Sequence, residues 1–320
     1  MLAPEVIKKH KWRNQLHTAI LFVSMTVIVA LLGFLLAGKF GLITAIVLVG
    51  LLMFLAPSIS PKLILRMYKA HYIHPQNAPN LHHIVSMLTQ RANLQTMPKL
   101  YYVPSRSMNA FAVGTPQNAH IAITEGILNK LDLRELAGVL AHEVSHVSNN
   151  DMRVMSFADI MSRLTGLLAN FGQILLLISL PLYLMGEAQI PWIAILLLIF
   201  APRIISLLQL ALSRTREFNA DLHAALLTDD PIGLANALKK VEYYSGNWLQ
   251  QIMRPGYKVA EPSIFRSHPD TQERIERLKS MEQPQKPFLS TSEQEVAMLL
   301  EQFSHKLSNR PRWRPGGLWY

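Results

Sequence analysis

Two imidazoles and a carboxylate lie close together in the sequence His142-Glu143-Val144-Ser145-His146, an HExxH pattern. The surrounding residues 132–147 are predicted to form a helix, because Asp132 can cap its first turn with Glu135 three residues later. Histidines four apart share one helix face, so their ring nitrogens can converge on one point. Most neighbouring residues are apolar and would bury this helix, and buried imidazoles need partners. The pattern therefore favours a zinc site with His142 and His146 as ligands.

Glu143 projects about 100° around the helix from His142, which suits a general base better than a ligand. A catalytic zinc usually has three protein ligands and one position for water. Glu217 is the best candidate for the third ligand. Asp221 shares its helix face and would accept a hydrogen bond from the second nitrogen of a ligating histidine. His223 is a rival third ligand, and a solvated acidic helix face is the simpler alternative.

Four long apolar runs, at residues 16–37, 41–56, 164–185 and 190–212, must position these groups. The first run is long enough for a helix that crosses the hydrocarbon layer, and the four runs form two predicted hairpins. Basic residues flank both outer ends of the first hairpin and follow the second, whose connection 186–189 has no Lys or Arg: Lys8, Lys9, Lys11, Arg13, Lys62, Arg66, Lys69, Arg214 and Arg216. The positive-inside rule then places both termini and the active site in the cytoplasm of a multi-pass cell-membrane protein. Two buried hairpins of a soluble core are the alternative.

Arg203 is the only charged residue well inside a predicted span, directly after Pro202. A charge at that depth is costly when it faces lipid, so we expect Arg203 to face the bundle interior or a hydrated cavity. Snorkelling to the headgroups is the alternative.

The sequence divides into five predicted parts: a hairpin and juxtamembrane segment (1–70), a first catalytic part (71–163), the second hairpin (164–212), a second catalytic part (213–282) and a C-terminal extension (283–320). Residues 100–103 and 119–123 are predicted strands. An edge strand that binds an extended substrate is predicted from five residues, Asn109, Ala110, Phe111, Ala112 and Val113; a plain core strand is the alternative. His268 is a candidate donor to the oxyanion, or only a residue at the entry to the next helix.

Composition excludes several functions. The chain lacks cysteine, so it has no disulfide, thiolate ligand or cysteine nucleophile. Its net charge of +10 gathers beside apolar runs, which favours contact with lipid headgroups over nucleic acid. A zinc-stabilised scaffold would not need Glu143, and a transporter would need polar residues deep in several spans. A zinc endopeptidase with protein or peptide substrates is therefore favoured, and the oligomeric state stays open.

The order of these motifs resembles the HtpX family of membrane zinc peptidases, which is related to the CAAX prenyl proteases. The likeness rests on residues 139–146, Asp151, two following spans, and residues 217–221, with further support at 109–114, 119–124 and 267–269. It implies Glu217 as the third ligand, a cytoplasmic active site and a role in membrane-protein quality control. The expected fold is a mainly α membrane protein with four transmembrane helices as two hairpins and an α+β catalytic domain of the zincin type.

Overall fold

The structure is a computed structural model of the chain, and it describes residues 4–55, 60–186, 192–245 and 271–281. The helices are α1 (Pro4–Leu55), α2 (Pro61–Met67), α3 (Pro79–Arg91), α4 (Glu125–Lys130), α5 (Leu133–Ser148), α6 (Asp151–Leu184), α7 (Trp192–Thr228), α8 (Pro231–Ser245) and α9 (Thr271–Ser280). The strands are β1 (His71–Tyr72), β2 (Lys99–Val103), β3 (Ala110–Thr115) and β4 (Asn118–Thr124). His268, the segment 247–267 and the extension 283–320 lie outside the described residues.

The described chain forms two compact units, one from residues 4–55 and 150–219 and one from 60–149, 220–245 and 271–281. In the first unit, α1 is interrupted by non-helical backbone at Ala37 and Gly38. A Cβ on Gly33 would lie 2.8 Å from the Ala45 Cβ and would also meet the Gly41 carbonyl. Residues this far apart in sequence could not meet along one straight helix, so α1 folds back on itself at Gly38.

The apolar core of the first unit joins both segments of α1 to α6 and α7. Its buried members are Met25, Val29, Ala45, Val49, Phe157, Ala158, Met161, Ile205 and Leu212. Gly172 of α6 lets the Leu198 side chain of α7 approach closely, since a Cβ there would lie 2.7 Å from a Leu198 methyl carbon. Small residues at such crossings let helices pack tightly in a bilayer.

Among the described residues, three helices are long and apolar enough to cross a membrane: Gln15–Leu51, Asp151–Pro181 and Ile195–Thr228. The predicted count of four is not confirmed, because the two spans predicted at 16–37 and 41–56 fall within the single helix α1. The described part of the span predicted at 190–212 belongs to α7, which continues without a break to Thr228.

The expectation that Arg203 faces the bundle interior is wrong, whereas the expected hydrated cavity stays a prediction. Its side chain is exposed on α7 and donates a hydrogen bond from Nη1 to the Ile199 carbonyl, at 3.0 Å. The buried face of this part of α7 is formed instead by Ala201 and Ile205. Because Arg203 lies two positions from each, its side chain points away from that face.

The second unit contains a four-stranded sheet in the order β1-β2-β4-β3. Strands β2 and β4 are parallel, whereas β1 with β2 and β3 with β4 are antiparallel. The strands predicted at 100–103 and 119–123 are confirmed as β2 and β4. Among the described strands, β3 pairs only with β4 and lies at an edge of the sheet, and α5 packs against it.

α8 holds the other side of α5 at close range. Gly138 permits this approach, because a Cβ there would lie 2.8 Å from the Leu234 backbone nitrogen and 2.9 Å from its Cα. Arg134 of α5 forms an ion pair with Asp230, which also accepts a hydrogen bond from the Gly233 N–H at 3.0 Å. Burial raises the pKa of the Asp230 carboxyl, but these two donors outweigh burial and hold the pKa below its usual range.

Replacing Gly138 should test this contact. Alanine normally stabilises a helix relative to glycine by about 0.5–1 kcal/mol. At Gly138 the added methyl group meets backbone atoms that cannot rotate away, so Gly138→Ala should instead destabilise the protein by about 1–3 kcal/mol. Gly166→Ala in α6 is the matched control, since open space surrounds that position. Chemical unfolding in detergent should separate the two variants; equal stability would contradict the close approach.

Candidate metal centre and active site

The predicted capping box of α5 is confirmed. The Glu135 N–H donates to Asp132 Oδ1 at 2.8 Å, and the Asp132 N–H donates to Glu135 Oε2 at 2.9 Å. Glu135 Oε2 also accepts from Lys240 Nζ of α8, at 2.6 Å. These contacts fix where α5 begins, and therefore where its third and fourth turns present His142 and His146.

The two histidines converge as their spacing predicts. Nε2 of His142 and Nε2 of His146 lie 3.1 Å apart, with the rings nearly perpendicular at 87°. Two nitrogens bound tetrahedrally to one ion at about 2.0–2.1 Å would lie roughly 3.3 Å apart. The observed separation therefore fits two ligands of a single metal ion.

Glu217 of α7 completes this group. One ligand atom each from His142, His146 and Glu217 lie within 4.8 Å of one another. Within the described part of the chain, this group of three does not include His223, the rival third ligand. His223 Nδ1 lies instead 3.3 Å from the Asn149 amide nitrogen. Two imidazoles and one carboxylate are a donor set that zinc accepts in catalytic sites.

Asp221 lies one turn after Glu217 on α7 and contacts the other nitrogen of His142. Its Oδ1 is 3.0 Å from His142 Nδ1. A hydrogen on Nδ1 shared with this carboxylate leaves the lone pair of Nε2 directed at a metal. Because Glu217 and Asp221 are four residues apart, one face of α7 presents both a candidate metal ligand, Glu217, and the carboxylate that orients the ligand His142.

The sequence did not reveal the partner of Asp221. Arg274 of α9 donates two hydrogen bonds to it, from Nε to Oδ2 and from Nη2 to Oδ1, each at 2.7 Å. Arg274 is 2% exposed and Asp221 3% exposed, so the pair is almost fully removed from water. The sequence offered one signal for a buried Arg274: it lies next to Ile275 and four residues before Leu278, two apolar residues of the same helix that are also buried.

Arg216, next to Glu217 in the chain, has its own buried partners. It donates from Nη1 to Asp151 Oδ1 at 3.0 Å and from Nη2 to Thr18 Oγ1 at 2.6 Å. These bonds join α7 to α6 and α1 within the first unit. The sequence suggested Arg216 as a residue at the lipid headgroups, whereas its side chain is mostly buried.

The remaining predicted site residues belong to the edge of the sheet. Ala110, Phe111, Ala112 and Val113 form most of β3, and Asn109 precedes it. The Asn109 N–H donates to Thr124 Oγ1 at 3.0 Å, and its carbonyl accepts from the Thr124 N–H at 3.0 Å. Glu143 is buried on α5 between the two histidines. His268 cannot be placed, because it is outside the described residues.

Comparison with known proteins identifies the family of this chain. The profile of "Peptidase family M48" matches residues 75–282. The chain is 37% identical over 279 residues to a "Protease HtpX homolog" of Campylobacter concisus, covering 83% of this chain and 96% of the relative. It is 38% identical over 290 residues to a homologue with the same description from Acaryochloris marina, covering 84% and 95%. A crystal structure of S. mikatae Ste24p matches at 18% identity and a TM-score of 0.44, covering 85% of this chain and 66% of that protein.

The chain therefore belongs to peptidase family M48, and it is a membrane-bound metalloprotease. The resemblance to HtpX proteases noted in the sequence is confirmed by these matches.

Arg274→Met should destabilise the protein by about 3–5 kcal/mol, because it leaves the Asp221 carboxylate buried without a counter-charge. Asp221→Asn in the same chain should restore part of this loss, since the amide carries no charge. Arg277→Met is the matched control: Arg277 pairs with Glu273 on the same helix, but both side chains are about half exposed. Its loss should stay within about 1 kcal/mol. Chemical unfolding in detergent would contradict the argument if both arginine variants behaved alike.

Proposed function

We propose that this chain is a zinc-dependent endopeptidase of the membrane, in which His142, His146 and Glu217 hold the metal and Glu143 is the general base. The convergence of two imidazole nitrogens and one carboxylate is the observation that carries the proposal. The pairing of Asp221 with the far nitrogen of His142 supports it, because catalytic zinc ligands are commonly oriented this way. The absence of cysteine leaves imidazole and carboxylate as the available ligand types.

A zinc ion in this group would lower the pKa of a water ligand and polarise the carbonyl of the scissile peptide bond. The chain's own part is proton transfer and orientation. The Glu143 carboxylate accepts a proton from the attacking water and later passes it to the leaving amine. Asp221 holds His142 in one tautomer and one ring orientation, with Arg274 holding Asp221 in turn. His268 is our candidate for a donor to the developing oxyanion.

Substrate binding along β3 is a further part of the proposal. β3 is an edge strand, so its outer backbone groups can pair with an extended polypeptide. It also packs against α5, the helix that carries the HExxH residues. This combination of an edge strand and a metal-binding helix supports the zincin-type α+β interpretation. An extended segment of a membrane or misfolded protein is the substrate class that suits it.

We further propose that the membrane part has four spans arranged as two hairpins. The reversal of α1 at Gly38 supports two spans in that helix. Basic residues at both outer ends of the first hairpin and after the second favour a cytoplasmic active site and cytoplasmic termini.

The catalytic assignment predicts that the two glutamate variants lose different properties, one only activity and the other also metal. Glu143→Gln should retain metal and lose proteolysis by about 10²- to 10⁴-fold, as removal of a general base does. Glu217→Ala should lose metal as well, because two histidines leave the site incomplete. Metal analysis of both purified variants, with cleavage of a model membrane protein with and without chelator, checks this. Full activity of metal-loaded Glu143→Gln would exclude the general-base role, and full metal content of Glu217→Ala would redirect the ligand assignment.

The topology predicts the side on which each connection lies. Reporter fusions after Lys39 and Gln189 should report the outer side, whereas fusions after Asp151 and Tyr320 should report the cytoplasm. A fusion after Asp151 that reports the outer side would overturn the proposed orientation while leaving the metal site untouched.

A further inference from the structure

The short helix α2 presents an unusual exposed surface. Its Leu65 is buried, and Leu63 and Met67 lie on the opposite side of the helix, 53% and 61% exposed. Lys62 and Arg66 flank them and are also exposed. Apolar residues one turn apart with basic neighbours are the pattern of a helix lying in a membrane interface.

α2 is fixed to the sheet of the second unit rather than projecting from it. Tyr68, which ends α2, packs against Phe111 of β3 with ring centroids 4.8 Å apart. α2 as a whole contacts β3. α2 therefore packs over Phe111, which is buried, and its exposed side points outward on the same side of the sheet as the exposed residues Tyr72 and Lys99.

That sheet face continues the same chemistry. Phe111 is aligned across the strands with Ala122, Tyr101 and Tyr72, so these side chains share a face. The rings of Tyr72 and Tyr101 lie 5.6 Å apart, and Tyr72 is 41% exposed. Tyrosine is enriched where membrane proteins meet the headgroup layer.

Lys99 adds another charge to this face, because it lies two residues before Tyr101 on β2 and therefore points to the same side. It is paired with His120 of β4. Burial is the main reason that the pKa of His120 lies below its usual value, and the positive charges of Lys99 and Lys62 lower it further. Lys62 and Lys99 are therefore close enough to act on one imidazole. Among the described residues, neither of these lysines nor Arg66 forms an ion pair, and residues 60–74 contain no acid.

We propose that Lys62, Leu63, Arg66, Met67, Tyr72 and Lys99 form a docking surface that binds the anionic headgroups of the bilayer in which this chain is anchored. The committed partner is the lipid surface itself. α2 begins six residues after the end of α1, a length of chain that reaches about 20 Å at most, so the surface stays near a bilayer that α1 crosses. This contact goes beyond the proposed proteolysis and does not depend on which residues perform it.

The natural absence of cysteine allows a direct test in the full-length protein. Leu63→Cys and Met67→Cys, each labelled with a fluorophore, are reconstituted into vesicles whose lipids carry bromine, a contact quencher, near the headgroup. One set of vesicles contains phosphatidylglycerol and the other phosphatidylcholine alone. Asn236→Cys, an exposed position on α8, is the matched control.

We expect strong quenching at positions 63 and 67 in the anionic vesicles, weaker quenching in the neutral vesicles, and little at position 236 in either. Lys62→Gln with Arg66→Gln should weaken docking roughly fivefold for each charge removed, whereas Lys239→Gln on α8 should not. Unchanged metal content would show that these variants fold. Equal quenching at all three positions, equal quenching in both lipids, or no effect of the Lys62 and Arg66 changes would each overturn the proposal.

Discussion

The Asp221 carboxylate is the group on which the candidate metal site depends. It is nearly fully buried, accepts two hydrogen bonds from Arg274 and lies 3.0 Å from His142 Nδ1. An isolated carboxylate in such a place would cost far more than one ordinary hydrogen bond returns, so its two partners must be present together. Because Asp221 also contacts His142, the same requirement holds that imidazole in place. Through Asp221, α9, the last described helix, supports His142, which lies more than one hundred residues earlier in the sequence.

A second constraint comes from the helices that bear this chemistry. α5 ends at Ser148, and α6 begins at Asp151 after Asn150, which adopts a left-handed conformation with φ of 55°. α7 runs without a break from its apolar part to Asp221, so one helix carries both a candidate span and the candidate ligand Glu217. A continuous helix transmits position along its axis, because each turn is fixed by backbone hydrogen bonds. A shift of α7 along the bilayer normal would therefore move Glu217 by a similar distance.

The sequence predicted local features well, for reasons visible in the structure. The capping box at Asp132, the convergence of His142 with His146, and the shared face of Glu217 and Asp221 all follow from helix geometry within a few residues. It failed where the deciding partner is distant. Arg274 looked like one more charged residue of a surface helix, and only tertiary packing brings it to Asp221. Arg203 differs from this case: it was expected to face the bundle interior, whereas its side chain is exposed and donates to the Ile199 carbonyl of its own helix.

The basic residues show why net charge alone could not have distinguished their roles. Arg216 and Arg274 are buried and pair with Asp151 and Asp221, where an unpaired carboxylate would be costly. Lys62, whose side chain is exposed, has no such pair among the described residues and lies beside exposed apolar side chains. Both groups add equally to a charge of +10, yet only the second retains the capacity to attract a new anion. The proposed docking surface uses the unpaired cations, because a membrane-anchored chain lies beside lipid headgroups. The paired arginines instead stabilise buried carboxylates, Asp221 beside the candidate metal ligand His142 and Asp151 in the first unit.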